Sequence, residues 1–125
     1  MGRSSGRDVN ASLWGHNGDG ISHAFSEHSN MRIHLLIGSL VILASFYMGF
    51  SKEEVAILIF IIALVIITEM LNTAIESMTN LITTEHRQHA KIAKDVAAGM
   101  VLLSATIAVL VGLIIFVPKL ISFFR

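Results

Sequence analysis

Residues 55–67 read VAILIFIIALVII, thirteen apolar side chains in a row, and the next eleven, TEMLNTAIESM, carry Glu69, Asn72 and Glu76. A run of that kind has no polar face to turn toward water. It is too long for an ordinary core strand, and it continues into helix-forming residues. Two further stretches are nearly as apolar, IHLLIGSLVILASFYMGF at 33–50 and VAAGMVLLSATIAVLVGLIIFV at 96–117. With the segment at 55–75 they make three candidates for crossing the ~30 Å of bilayer hydrocarbon, which takes about 20 residues of helix. Three spans are too few for a closed barrel, and in lipid only a helix satisfies its own backbone. The expected fold is therefore an all-α membrane protein with three transmembrane helices.

Composition agrees. Of 125 residues, 54% are hydrophobic and 14% charged, and mean hydropathy is +0.71. A soluble domain of this size lacks the interior to hide so much apolar surface. The formal net charge is zero, which gives no footprint for nucleic acid. The chain has no Cys, so disulfides and thiolate metal sites are excluded. The first apolar run is followed by no small-residue cleavage site, so it is expected to be retained as a span.

The link "SKEE" at 51–54 is short, which makes the first two spans an antiparallel hairpin. Residues 1–20, with five glycines among polar residues, are expected to be a mobile segment preceding the membrane domain at 21–125. Residues 21–31, ISHAFSEHSNM, space Ile21, Ala24, Phe25 and Met31 as an amphipathic surface helix would. Residues 77–94 give a second candidate of that type. Arg3, Arg7, Arg32, Arg87, Lys91 and Lys94 fall on one side of the membrane, Lys52, Lys119 and Arg125 on the other. Six against three places the N-terminus in the cytoplasm. In the third span Ser104, Ala108 and Gly112 form a small-residue stripe of the kind that lets helices approach closely, within one chain or between chains.

Glu69, Asn72 and Glu76 lie within about 60° of one another around a helix, with Thr73 and Asn80 near the same face. Glu69 falls about 20 Å along a span that begins at Val55, and Glu76 about 10 Å beyond it, near the interface. An ionised acid at the centre of a span costs about 2.5–3.5 kcal/mol. A structural hydrogen bond between helices would account for one such residue. Two acids on one face with an amide between them also suit a proton acceptor at depth and a cation ligand near water. Asp95 fits the start of a helix, where the dipole favours acids. Lys94 fits an interfacial cation, or beside carboxylates a phosphate ligand. His86, Arg87 and His89 extend the polar surface, where each also fits a solvated side chain.

EMLNTAIE (69–76), followed by AKIAKDVAAGMVLLSA (90–105), resembles the small bacterial integral-membrane lipid kinases, the diacylglycerol and undecaprenol kinases, over about residues 20–117. The resemblance implies a homotrimer with an N-terminal surface helix and active sites shared between chains. It implies Mg²⁺-dependent transfer of the ATP γ-phosphate to a membrane lipid alcohol at the inner membrane of a bacterial cell. Glu69 then resembles the general base, and Glu76 the Mg²⁺ ligand. Asn72 orients the site, Lys94 and Asp95 contact ATP, and Glu85, His86 and Arg87 lie near the nucleotide. The family's second metal-binding Glu, counted back from Met31–Arg32, falls on His28, with Glu27 beside it. Glu27 is therefore the expected second ligand, with His28 as the alternative. KIAKDVAAG and NMRIHL resemble the undecaprenol branch more than the diacylglycerol branch. From another class, an inactive trimer that only binds lipid or metal would carry the same spans.

Overall fold

The computed structural model describes residues 29–83, 85 and 87–125. They form three helices: α1 (Ser29–Tyr47), α2 (Lys52–Ile82) and α3 (Gln88–Phe123). Each is long and apolar enough to cross a membrane. The expected mobile segment and most of the expected surface helix, with Glu27 and His28, lie outside the described residues, as does His86. Of the residues expected in that helix, Ser29–Met31 are described, and they are helical and continuous with α1.

The connections show why the helix limits differ from those expected. α1 ends in a Schellman turn. The Phe50 N–H donates to the Ser45 carbonyl at 3.0 Å, the Gly49 N–H donates to Phe46 at 3.2 Å, and Gly49 takes φ +70°, where a Cβ would be strained. Two residues later α2 opens with a capping box. The Glu54 N–H donates to Ser51 Oγ at 3.2 Å, and the Ser51 N–H donates to Glu54 Oε2 at 2.8 Å. Lys52–Glu54 are thus the first turn of α2 rather than a link. The S-x-x-E spacing that encodes this was available in the sequence.

Nothing in 77–82 interrupts α2, which runs 31 residues, about 46 Å at 1.5 Å per residue. That exceeds the hydrocarbon by several turns. The face read as a second surface helix at 77–94 is instead the end of α2 and the beginning of α3, separated only by 83–87. At its other end α3 continues past Pro118 to Phe123, six residues beyond the expected limit. A proline forfeits one backbone bond, which a membrane helix tolerates.

α2 lies between its two neighbours. Against α1 the approach is close at Gly38: a Cβ there would stand 2.7 Å from Ile62 Cγ2, so a larger residue obliges Ile62 or the helix pair to shift. Against α3 the antiparallel register is pinned by Thr68 Oγ1 and Ser104 Oγ, 2.7 Å apart, and by the Lys94 Nζ bond to Asn80 Oδ1, 2.7 Å. Aromatic and charged contacts gather the hairpin-turn end. Phe50 packs on Phe116 with ring centroids 4.7 Å apart, Tyr47 on Phe123 at 6.2 Å, and Lys119 reaches Glu54 Oε2 at 3.1 Å. Above this latch the three helices enclose an apolar groove of about 450 Å³, lined among others by His34, Leu58, Ala108 and Gly112.

The small-residue stripe on α3 is therefore divided. Ser104 is buried against α2, whereas Ala108 and Gly112 line the groove, and a Cβ on Gly112 would meet nothing within 4 Å. Few large apolar side chains are buried. Phe60 is 70% exposed and Ile114 72%, the distribution of a thin bundle whose outer surface faces hydrocarbon.

Candidate functional site

The buried residues of α2 follow one stripe: Val55, Leu58, Ile61 and Val65, then Glu69, Thr73 and Thr79. From Val55 to Thr73 the steps of three and four keep these residues on one helix face. At Glu69 that face changes from apolar to polar without leaving the interior. Glu69 is 3% exposed and forms no hydrogen bond or ion pair among the described residues. Below it, Thr68 occupies its hydroxyl with Ser104 and with the Val65 carbonyl.

Asn72 and Glu76 are half-buried, one turn and two turns above Glu69. Asn72 Oδ1 is sealed from solvent and accepts nothing; Thr73 Oγ1 is in the same state. Unpaired buried polar atoms are costly and uncommon, so two in succession beside an unpaired acid mark this stretch of α2 as unusual. Lys94, at the start of α3, is held over it by the bond to Asn80. Glu69, Asn72 and Glu76 thus lie along α2 between its two ties to α3, Thr68–Ser104 and Asn80–Lys94, ordered from depth to surface along about 16 Å of helix between residues 69 and 80.

The remaining expected residues do not join this group. Asp95 is exposed and unpaired among the described residues. Glu85 and Arg87 are exposed in the connection and pair with each other, with Oε2 3.1 Å from Nη2. That neutralises both charges locally, and such an exposed pair contributes little to stability. Two participants escaped the sequence reading. Asn80 was placed on the right face without its role as the partner of Lys94, and Thr73 without its burial. The alternation of three and four in 69, 72, 73, 76 and 80 was the signal for both.

For a divalent cation the chain offers a specific donor set. Among the described residues no three His, Cys, Asp or Glu side chains converge. What the upper end of the α2–α3 seam provides, above Glu69, is the Glu76 carboxylate and one amide oxygen without a donor, Asn72 Oδ1. Hard, all-oxygen and incomplete, this set suits Mg²⁺, which commonly takes one or two carboxylates and completes its shell with water and phosphate oxygens.

Comparison with known proteins follows the same lines. The family model described as prokaryotic diacylglycerol kinase matches residues 15–116. The chain is 44% identical over 104 residues to a diacylglycerol kinase of Synechocystis, covering 82% of this chain and 59% of that protein. The chain therefore spans about three fifths of that relative's length. It is 39% identical over 105 residues to the undecaprenol kinase of Bacillus subtilis, covering 84% and 85% of the two chains. With a diacylglycerol kinase of Haemophilus influenzae it shares 28% over 88 residues. By the reach of the family match and by these identities, this membrane protein belongs to the prokaryotic diacylglycerol kinase family.

Proposed function

We propose that the protein is a membrane lipid kinase that transfers the γ-phosphate of ATP to a lipid alcohol, with undecaprenol as the favoured acceptor. The observation that carries this reading is the change of the buried α2 stripe from apolar to polar at Glu69, with a cation held above it. A lipid hydroxyl comes from the hydrocarbon and a nucleotide from water, and the seam spans that boundary. In the reaction the alcohol oxygen bonds to the γ-phosphorus, the bond from that phosphorus to the bridging oxygen breaks, and ADP leaves. Glu69 takes the alcohol's proton. Lys94, already fixed by Asn80, offsets charge on the phosphates. Asn72 and Glu76 would hold Mg²⁺, which when bound supplies positive charge on the β- and γ-phosphate oxygens. Asp95, Glu85, His86 and Arg87 would line the nucleotide side, and Glu27 or His28 would complete the metal shell.

One chain's described residues leave the metal shell open, and this supports a homotrimer in which neighbouring chains complete each site. A native mass of one chain in mild detergent would contradict it. The Lys and Arg distribution supports a cytoplasmic N-terminus in a bacterial inner membrane. A reporter active only in the cytoplasm should stay silent when fused after Arg125, and a strong signal there would reverse the orientation.

KIAKDVAAG and NMRIHL support the choice of undecaprenol, as does a B. subtilis relative of that name matched over most of both chains. Diacylglycerol is the second reading, supported by the 44% identity to a protein named for it. Purified protein should be given each alcohol separately with Mg²⁺-ATP. Faster turnover of undecaprenol is expected, and faster turnover of diacylglycerol would exchange the two readings.

A further inference from the structure

Most hydroxyls on these helices behave alike. Ser39, Ser45, Thr79, Thr106 and Ser122 each donate to a backbone carbonyl three or four residues earlier, at 2.7–3.0 Å, and Thr68 and Ser104 share their two protons between such carbonyls and each other. That bond is the default for Ser and Thr in a membrane helix, because hydrocarbon supplies no other partner. Thr73 departs from it. The residue is 8% exposed, its Oγ1 is sealed, and it has no partner. The default costs only a side-chain rotation, so the position favours some other partner for this hydroxyl.

The neighbouring candidate is Glu69. It is four residues earlier on the same buried stripe, which places the two Cβ atoms about 5–6 Å apart. It is also unpaired among the described residues. Two unpaired polar side chains, a carboxyl and a hydroxyl, thus stand one turn apart on one buried stripe. A threonine hydroxyl suits both states of a carboxyl group that exchanges a proton. It donates to the carboxylate and accepts from the carboxylic acid.

We infer that Thr73 is a positioning residue for Glu69: with substrates bound, its hydroxyl turns to the Glu69 carboxyl group and holds it in one orientation as it takes the alcohol's proton. This rests on the reading of Glu69 as the proton acceptor. Thr73 touches no substrate in this role. Its contribution therefore falls on the turnover step and leaves the binding of ATP and lipid unaffected. The resting chain keeps the hydroxyl unpaired, so removing it should cost no stability.

The test compares the full-length protein with Thr73→Val and Thr73→Ser, using Mg²⁺-ATP and a lipid alcohol, together with thermal unfolding in the same detergent. Val preserves the shape and removes the hydroxyl; Ser preserves the hydroxyl. Thr73→Val should lower kcat about 10–100-fold, the range of a hydrogen bond to a charged group. KM for ATP and for lipid should be unchanged, and the melting temperature should be no lower than the parent's. Thr73→Ser should keep most of the parent's kcat. Undiminished kcat in Thr73→Val, an equal loss in Thr73→Ser, a loss confined to KM, or a marked fall in melting temperature would each overturn the inference. If the parent itself labels no alcohol while binding ATP, the kinase reading fails first and this inference with it.

Discussion

Glu69→Gln should lose about 10²–10⁴-fold in phosphoryl transfer, the range for removing a general base, and still bind ATP. The substitution keeps size and hydrogen-bonding capacity and removes only the ability to accept a proton. Glu69 sits at 3% exposure with no cationic partner among the described residues, so the amide leaves no charge unpaired. It also relieves the cost of an acid inside a span, about 2.5–3.5 kcal/mol when ionised, so the variant should unfold no more easily than the parent. The loss then appears in kcat, with the KM for ATP close to the parent's. Wild-type turnover in a folded Glu69→Gln would remove Glu69 from the chemistry. Lost ATP binding would make it a nucleotide ligand, against its depth below Glu76 and Lys94.

Glu76→Gln should fail differently. Glu76 is the one carboxylate among the described residues of the seam's upper half, beside the unpaired Asn72 Oδ1. If it holds Mg²⁺, its amide leaves a weaker ligand. The Mg²⁺ concentration for half-maximal rate should rise at least about 10–100-fold, the loss already typical of disturbing groups behind a metal's direct ligands. Excess Mg²⁺ should restore part of the rate, which it should not do for Glu69→Gln. Glu27→Ala should raise the Mg²⁺ requirement in the same direction, and His28→Ala only slightly. The reverse order would make His28 the ligand and favour a softer ion such as Mn²⁺ or Zn²⁺. An unchanged Mg²⁺ dependence in Glu76→Gln would take the metal away from this face.

The spans were legible because an apolar run of twenty residues has few alternatives, and the polar face of α2 because its spacing keeps to one side of a helix. The limits of the helices were less so. Ser51–Glu54 looked like a link because charge suggests a loop, whereas its spacing forms a capping box. Residues 77–94 looked like an interfacial helix because their apolar residues are mixed with polar ones. A helix that projects past the hydrocarbon has the same composition, and only the backbone bonds distinguish the two. Gly38 was passed over because one glycine in a span carries no signal until Ile62 is found against it.

Within the site, Glu69 and Glu76 were found because carboxylates in a span are expensive. Thr73 carries no such cost in sequence, and its distinction is an absence of partners that appears only in the folded chain. Asn80 and Lys94, fourteen residues apart across a turn, could be joined only once α2 was seen to continue to Ile82. Glu85 and Arg87 were assigned to the nucleotide through the family resemblance; in the chain they face each other. Any part they take in binding ATP requires that exposed pair to open.

The most direct measurement of the central claim is transfer of label. The purified full-length protein, with Mg²⁺ and ATP labelled in the γ-phosphate, is incubated with lipid alcohol in mixed micelles, and the lipid is extracted. Label should enter the lipid fraction in proportion to protein and time, and Glu69→Gln should reduce it to near background. Label that stays in the aqueous phase as ATP or inorganic phosphate, with folded protein and acceptor present, would contradict the account.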